Sequence, residues 1–176
     1  MKPENLVLDS TGSNFNIKII DMGLGQTFEK SRYLNRSKGS VYYTAPEQIK
    51  GKYNEKVDIW SCGVILYILI TGLPPFSAFK TDQHGRQVLD VEEVKRLIEK
   101  GHVDFTDEIF QDVSPELIPL LKRMLTYEAE ERPEASQLMH FPWLHQTSEK
   151  GHRQEGTQIS SLIGSFQFDF VELALL

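Results

Sequence analysis

Between Lys56 and Thr71 the chain reads KVDIWSCGVILYILIT, a stretch that is apolar nearly all round rather than along one face. A helix of that character sits inside a domain with other elements packed around it. Gly72 and Pro74-Pro75 stop it. Its longest apolar run, Val64 to Ile70, is far shorter than the roughly 20 residues needed to cross a bilayer. The stretch therefore predicts the central helix of a mainly helical domain, and neighbouring segments must cover it. Asp90 to Lys100 places Val91, Val94, Leu97 and Ile98 at helical spacing with charges elsewhere, which predicts an amphipathic helix ended by Gly101. Ser114-Pro115-Glu116 predicts an N-cap with proline at the first helical position, leading into Leu117 to Leu125. A short further helix is expected from near Glu134.

Composition fits one ordinary core: 176 residues, 40% of them hydrophobic. A formal charge of -6, with no clustering of Lys and Arg, argues against a phosphate-backbone binder, so nucleic acid is not an expected partner. Neither is a membrane. The single cysteine, Cys62, cannot form an intramolecular disulfide, and no apolar leader opens the chain, so a cytoplasmic, reducing setting is expected. His140, His145 and His152 show no metal-ligand spacing with Cys62 or one another, which argues against zinc. Cys62 itself lies in the apolar helix and reads as a packed small side chain.

The first twenty residues predict a hairpin, with Leu6-Val7-Leu8 and Phe15 to Ile20 as strands around the turn-rich Asp9 to Asn14. A hairpin brings Asn5, before its first strand, near Asp21, after its second. Two oxygen-bearing side chains at one mouth suit a hard cation such as Mg²⁺ held partly by protein and partly by phosphate, and Lys2 supplies a positive charge nearby. The alternative is that Asn5 and Asp21 are ordinary turn formers. From Asp21 to Gly39 the sequence is polar, glycine-bearing and aperiodic: a long loop, either functional or disordered.

Several ordered motifs resemble the large lobe of protein kinases. Lys2-Pro3-Glu4-Asn5 is similar to the second half of the catalytic loop, with the lysine typical of Ser/Thr kinases. Asp21-Met22-Gly23 resembles the metal-binding Asp-Phe-Gly triplet, and Ala45-Pro46-Glu47 resembles the Ala-Pro-Glu that closes the activation segment. Asp58-Ile59-Trp60-Ser61-Cys62-Gly63 is similar to the family's buried central helix, and Arg132-Pro133 stands where the family keeps an arginine for the Ala-Pro-Glu glutamate. The stretches Gly51 to Lys56, Gly72 to Phe76, Lys122 to Tyr127 and Phe141 to Leu144 look most like the calcium-dependent and calmodulin-dependent group.

The resemblance implies a mainly α domain of the α+β kinase family: a C-lobe helical bundle with a small β-hairpin, the N-lobe being absent from this chain. It implies phosphoryl transfer from Mg-ATP to a Ser/Thr hydroxyl of protein substrates. Asn5 and Asp21 would hold the metal ions and Lys2 the γ-phosphate, while Val7 would lie beneath the adenine. Ser40 would stand at the position of the threonine that contacts the catalytic aspartate, and Tyr42 to Ala45 would shape the groove beyond the acceptor. Asp58 would hold the catalytic loop's backbone, and Glu47 with Arg132 would form a buried pair that fixes the activation segment. A calcium-sensor module in a longer parent protein is a further implied partner, although this chain carries no calcium loop of its own.

Met1 stands at the family's leucine after the catalytic aspartate, so that aspartate and the whole small lobe lie outside the chain. The isolated chain is expected to be inactive, and the apolar face of Ile59 to Ile70 to be partly uncovered. Residues 1–145 read as the partial catalytic domain and 146–176 as a tail. Ile159 to Leu176 reads either as the start of an autoinhibitory junction or, from alternating Phe166, Phe168 and Phe170, as a strand. Thr27, Ser31, Tyr33 and Ser37 are either phosphate acceptors, read by cations such as Arg32, Arg36 or Lys38, or plain solvated residues. The alternative function is a non-catalytic, kinase-like protein-interaction module that regulates another kinase and docks partners around Asp90 to Lys100.

Overall fold

β-prone residues on both sides of a turn-rich segment make the opening hairpin: Leu6–Thr11 (β1) pairs antiparallel with Asn14–Ile19 (β2), from Leu6 opposite Ile19 to Thr11 opposite Asn14. The computed structural model describes residues 1–11, 14–21, 23, 25, 33–34, 40–106, 108–111 and 113–145. Both strands reach further towards the turn than their apolar runs predict, because main-chain pairing continues through polar positions once register is set.

Pro46–Ile49 (α1) is a single turn that starts on proline, with the Gln48 side-chain oxygen accepting from the Ala45 N–H at 3.0 Å. The segment behind it returns to Tyr53, whose N–H and C=O exchange hydrogen bonds of 3.2 and 2.8 Å with Leu34. Lys56–Thr71 (α2) has the bounds its apolar pattern predicts, and Gly72 ends it in the left-handed conformation (φ 75°). From Ile59 to Tyr67 every residue is buried. Within Ile59 to Ile70 the expected uncovered face is thus small, since Ile68 and Leu69 alone are half-buried; Asp58, one residue ahead of it, is exposed. Trp60 stacks on Phe76, rings 5.9 Å apart.

After α2 comes a second hairpin that the sequence did not announce, Phe79–Thr81 (β3) against Gln87–Leu89 (β4). Its turn is organised by Asp82, whose carboxylate accepts from the N–H groups of His84 and Arg86 at 2.8 and 2.9 Å and pairs with the Arg86 guanidinium. Those bonds hold the Asp82 carboxyl below the usual range. Val91–Lys100 (α3) follows, capped by Asp90 and closed by Gly101 at φ 67°. It buries Val94 and Ile98 and keeps its Glu92–Lys95 and Glu93–Arg96 pairs outside.

Leu117–Met124 (α4) begins later than the Ser-Pro-Glu motif suggests. Ser114 makes a turn instead of a cap, its carbonyl accepting from the Leu117 N–H at 2.9 Å, and its hydroxyl turns to the Glu116 carboxylate. Ala135–Leu138 (α5) and Pro142–His145 (α6) complete the described elements. Leu120, Leu121 and Met124 of α4 reach the core that α2 occupies, together with Val94, Ile98 and Trp143. The close approach of α2 and α4 is set by Gly63: a Cβ there would lie 2.9 Å from Leu125 and 3.0 Å from Met124. The fold is mainly α, with two small antiparallel sheets. No helix among the described residues is long and apolar enough to cross a membrane.

Candidate functional site

The mouth of the first hairpin is built from the chain's opening turn. Pro3–Asn5 form one 3-10 turn after an extended Lys2, and the Asn5 N–H donates to the Lys2 carbonyl at 3.0 Å. The Ile20 N–H then donates to the Asn5 carbonyl at 2.8 Å, so pairing continues one rung past β1 and β2. Asp21 therefore leaves the sheet directly beside Asn5. It does so at φ 64°, in the left-handed region, which costs an L-residue about 1–2 kcal/mol and which Asp and Asn tolerate best. The Asp21 Oδ1 accepts from the Gly23 N–H at 3.0 Å. A Cβ on Gly23 would lie 2.9 Å from that oxygen, so glycine is what permits the close turn.

A carboxylate, a side-chain amide and an ammonium thus share one end of the hairpin. Among the described residues no group of three or more His, Cys, Asp or Glu could enclose a metal ion. The donor set fits a hard cation that takes its remaining oxygens from water or a phosphate ligand, and does not fit a closed structural site. Val7, on β1, is 41% exposed. Met22 lies outside the described residues, as do Thr27, Ser31, Ser37, Arg32, Arg36, Lys38 and the tail from residue 146.

Ser40 is exposed, and its carbonyl accepts from the Tyr43 N–H at 3.2 Å and the Thr44 hydroxyl at 3.3 Å, shaping the 3-10 turn Val41–Tyr43. Burial pushes the Tyr43 phenol upward, and the charge of Glu4 adds to the shift, which ties this turn electrostatically to the Pro3–Asn5 turn. The buried Ser61 hydroxyl lies 2.9 Å from both the Tyr43 carbonyl and the Val57 carbonyl, which share its one proton. Sequence reasoning passed over Ser61; the signal was a polar residue in an apolar helix, which must find a partner.

Glu47 and Arg132 meet in two parallel bonds of 2.6 and 2.7 Å. The remaining guanidinium N–H groups go to the carbonyls of Thr126, Tyr127 and Lys56, so all five donors of a fully buried arginine are satisfied. Its guanidinium carbon also lies 4.9 Å from the Trp60 ring. Asp58, read above as the residue that would hold the catalytic loop's backbone, lies at the surface of α2. Its side chain is 62% exposed, with the amino-terminal ammonium 3.6 Å away. The helix surface opens at that position towards the segment leading to Lys2. Cys62 is buried, and the His140 ring bonds the Ser136 carbonyl at 3.0 Å.

Residues 1–144 match the family model described as the protein kinase domain. Calcium-dependent protein kinase 9 of Arabidopsis thaliana is 34% identical over 167 residues, covering 95% of this chain and 29% of that protein. Calcium-dependent protein kinase 17 of the same plant is 36% identical over 149 residues, with 85% and 26% covered. Calcium-dependent protein kinase 4 of Plasmodium falciparum (isolate 3D7) is 37% identical over 151 residues, with 85% and 27% covered. The chain spans less than a third of the length of these curated relatives. With the family model running through the hairpin, the central helix and the Glu47–Arg132 pair, this chain belongs to the protein kinase domain family.

Proposed function

We propose that this chain is the metal-binding and substrate-facing part of a Ser/Thr protein kinase that transfers the γ-phosphoryl group of Mg-ATP to protein hydroxyls in a reducing, cytoplasmic setting. The observation that supports the reading is the mouth of the first hairpin, where main-chain pairing brings Asn5 and Asp21 to one end, next to the turn that begins at Lys2. Asn5 and Asp21 would hold the metal ions, whose chemistry is to neutralise phosphate charge. Lys2 would steady the transferring group, and exposed Val7 offers an apolar face for the adenine. Ser40 and the Val41–Tyr43 turn would orient the acceptor, with Glu47, Asp58 and Arg132 as scaffold. In a longer parent protein, a calcium-sensor module is the regulator suggested by the similarity to calcium-dependent protein kinases.

The test is phosphotransfer to a Ser/Thr peptide by the full-length protein. Asp21→Asn and Asn5→Ala are expected to lower activity at least ~100-fold. Undiminished activity in both variants would overturn the assignment.

A second reading rests on the exposed apolar side chains of Leu73, Phe79 and Val91 around β3 and the start of α3. They suit a docking module that binds proteins without catalysis. In that case partner binding persists in Asp21→Asn, and the wild-type protein labels no substrate.

A further inference from the structure

β3 and β4 form a two-stranded sheet, and no other described strand lies alongside either. The Asp90 N–H donates to the Ala78 carbonyl at 2.9 Å, and the Asp82 N–H to the Arg86 carbonyl at 2.9 Å. Bonded pairs alternate along an antiparallel ladder, and Lys80 stands opposite Val88 midway between those two rungs, so Lys80 and Val88 are the bonded pair. The N–H and C=O groups of Phe79 and Thr81 therefore point away from β4, along an open edge. All three residues of β3 are exposed, whereas Val88 and Leu89 of β4 are half-buried, so β3 is the edge that a further strand can reach.

Side chains alternate across the strand. Phe79 and Thr81 stand on one face, where Phe79 is 62% exposed and the Thr81 hydroxyl accepts from the Gln87 amide at 3.0 Å. Lys80 stands on the other, its ammonium 3.4 Å from the Asp90 carboxylate and its side chain 56% exposed. A lysine at this point blunts an edge against indiscriminate pairing. It also selects what pairs. A second copy joining β3 to β3 in antiparallel register would set Lys80 against Lys80, like charges directly opposite each other. A strand with a carboxylate opposite Lys80 and an apolar side chain on each side of it meets no such conflict, and it covers Phe79.

That pattern stands in the tail, as Phe168-Asp169-Phe170, and no Lys or Arg follows Arg153. Residues 146–167 join it to α6, a length that reaches about 70 Å when fully extended, more than the diameter of a small domain. We propose that Phe168-Asp169-Phe170 adds to β3 as a third, antiparallel strand, with Phe170 opposite Phe79, Asp169 opposite Lys80 and Phe168 opposite Thr81. The free main-chain groups of Phe79 and Thr81 supply the hydrogen bonds, the Phe79–Phe170 pair supplies the apolar contact, and the Lys80–Asp169 pair fixes the register. Tethering within one chain raises the effective concentration of the strand, which lets so short an edge capture it. The tail then occupies the edge just ahead of α3, and a protein docking on Phe79 has to displace it.

The test is amide hydrogen exchange of the full chain, read residue by residue by NMR. The Phe79 and Thr81 N–H groups are expected to exchange roughly tenfold or more slowly than unpaired peptide groups. Phe168→Pro removes a main-chain donor from the added strand and should return both groups to the unpaired rate. The Lys80 N–H, bonded within the hairpin, should keep its protection in that variant, which shows that β3 and β4 remain paired. Asp169→Lys should weaken the protection of Phe79 and Thr81 in part, by opposing Lys80 with a like charge. Unprotected Phe79 and Thr81 in the parent, or protection that neither variant changes, overturns the proposal. Protection that grows with chain concentration assigns the added strand to a second copy and overturns it as well.

Discussion

Arg132 and Glu47 are 85 residues apart in sequence and joined side by side by two short hydrogen bonds, with the arginine fully buried. The remaining donors of the same guanidinium hold the carbonyls of Lys56, at the start of α2, and of Thr126 and Tyr127, just past α4. Arg132→Ala would strand the carboxylate and three carbonyls, and a loss of roughly 3–5 kcal/mol is expected. Arg132→Lys should recover little, because one point charge cannot reproduce the planar fork. Urea denaturation followed by tryptophan fluorescence checks both. Stability within 1 kcal/mol of the parent in Arg132→Ala, by order of magnitude, would show that the pair contributes little.

Gly23 sits where a Cβ would meet the Asp21 carboxylate at 2.9 Å. Gly23→Ala in the full-length protein should displace that oxygen without touching the core. On the proposal that Asp21 holds a metal ion, phosphotransfer is expected to fall about 10- to 100-fold, with the thermal midpoint unchanged. A fall in midpoint parallel to the loss of activity would point instead to a folding defect.

Burial pushes the Cys62 thiol from 9.0 up to about 12, with the charge of Asp58 adding and the amino-terminal ammonium opposing. The native protein should therefore leave Ellman's reagent unreacted at pH 8 until denaturant is added. Because the folded state holds this proton more tightly, the contribution is fully present below pH 9. It is lost as pH rises towards 12, at up to about 1.4 kcal/mol per unit. Cys62→Ala removes that slope, and comparing the two urea titrations at pH 8 and 10.5 isolates it from the tyrosines.

Gly101 and Gly72 both end helices in the left-handed conformation, but their surroundings differ. A Cβ at Gly72 meets nothing, whereas one at Gly101 would lie 2.5 Å from the Tyr127 ring. Gly72→Ala should cost about 1 kcal/mol and Gly101→Ala about 1 kcal/mol more. The excess should disappear in a Tyr127→Ala background, as a double-mutant cycle by thermal unfolding would read.

The central helix was legible because burial on all sides leaves an unmistakable apolar pattern, and α3 because its burial alternates at helical spacing. The β3–β4 hairpin was not: its strands are three residues long, and what holds its turn is the Asp82 carboxylate, whose targets are backbone groups that no pattern displays. The exposure of Asp58 was not legible, because a polar residue amid apolar neighbours implies burial only if something covers that point of the helix. Ser114 looked like a cap because proline followed it, yet the chain needed one more turn before α4. At the candidate site, motif order singled out Asn5 and Asp21, while the bond from Ser61 to the Tyr43 carbonyl joins distant segments and carries no local signature.

The hydroxyl of Ser61 grips one carbonyl in its own helix and one in the Val41–Tyr43 turn. The turn is therefore suspended from the most deeply embedded element of the protein instead of riding on its own loop. Its fluctuations are thereby coupled to the stiffness of α2, so displacing the turn requires shifting the helix as well.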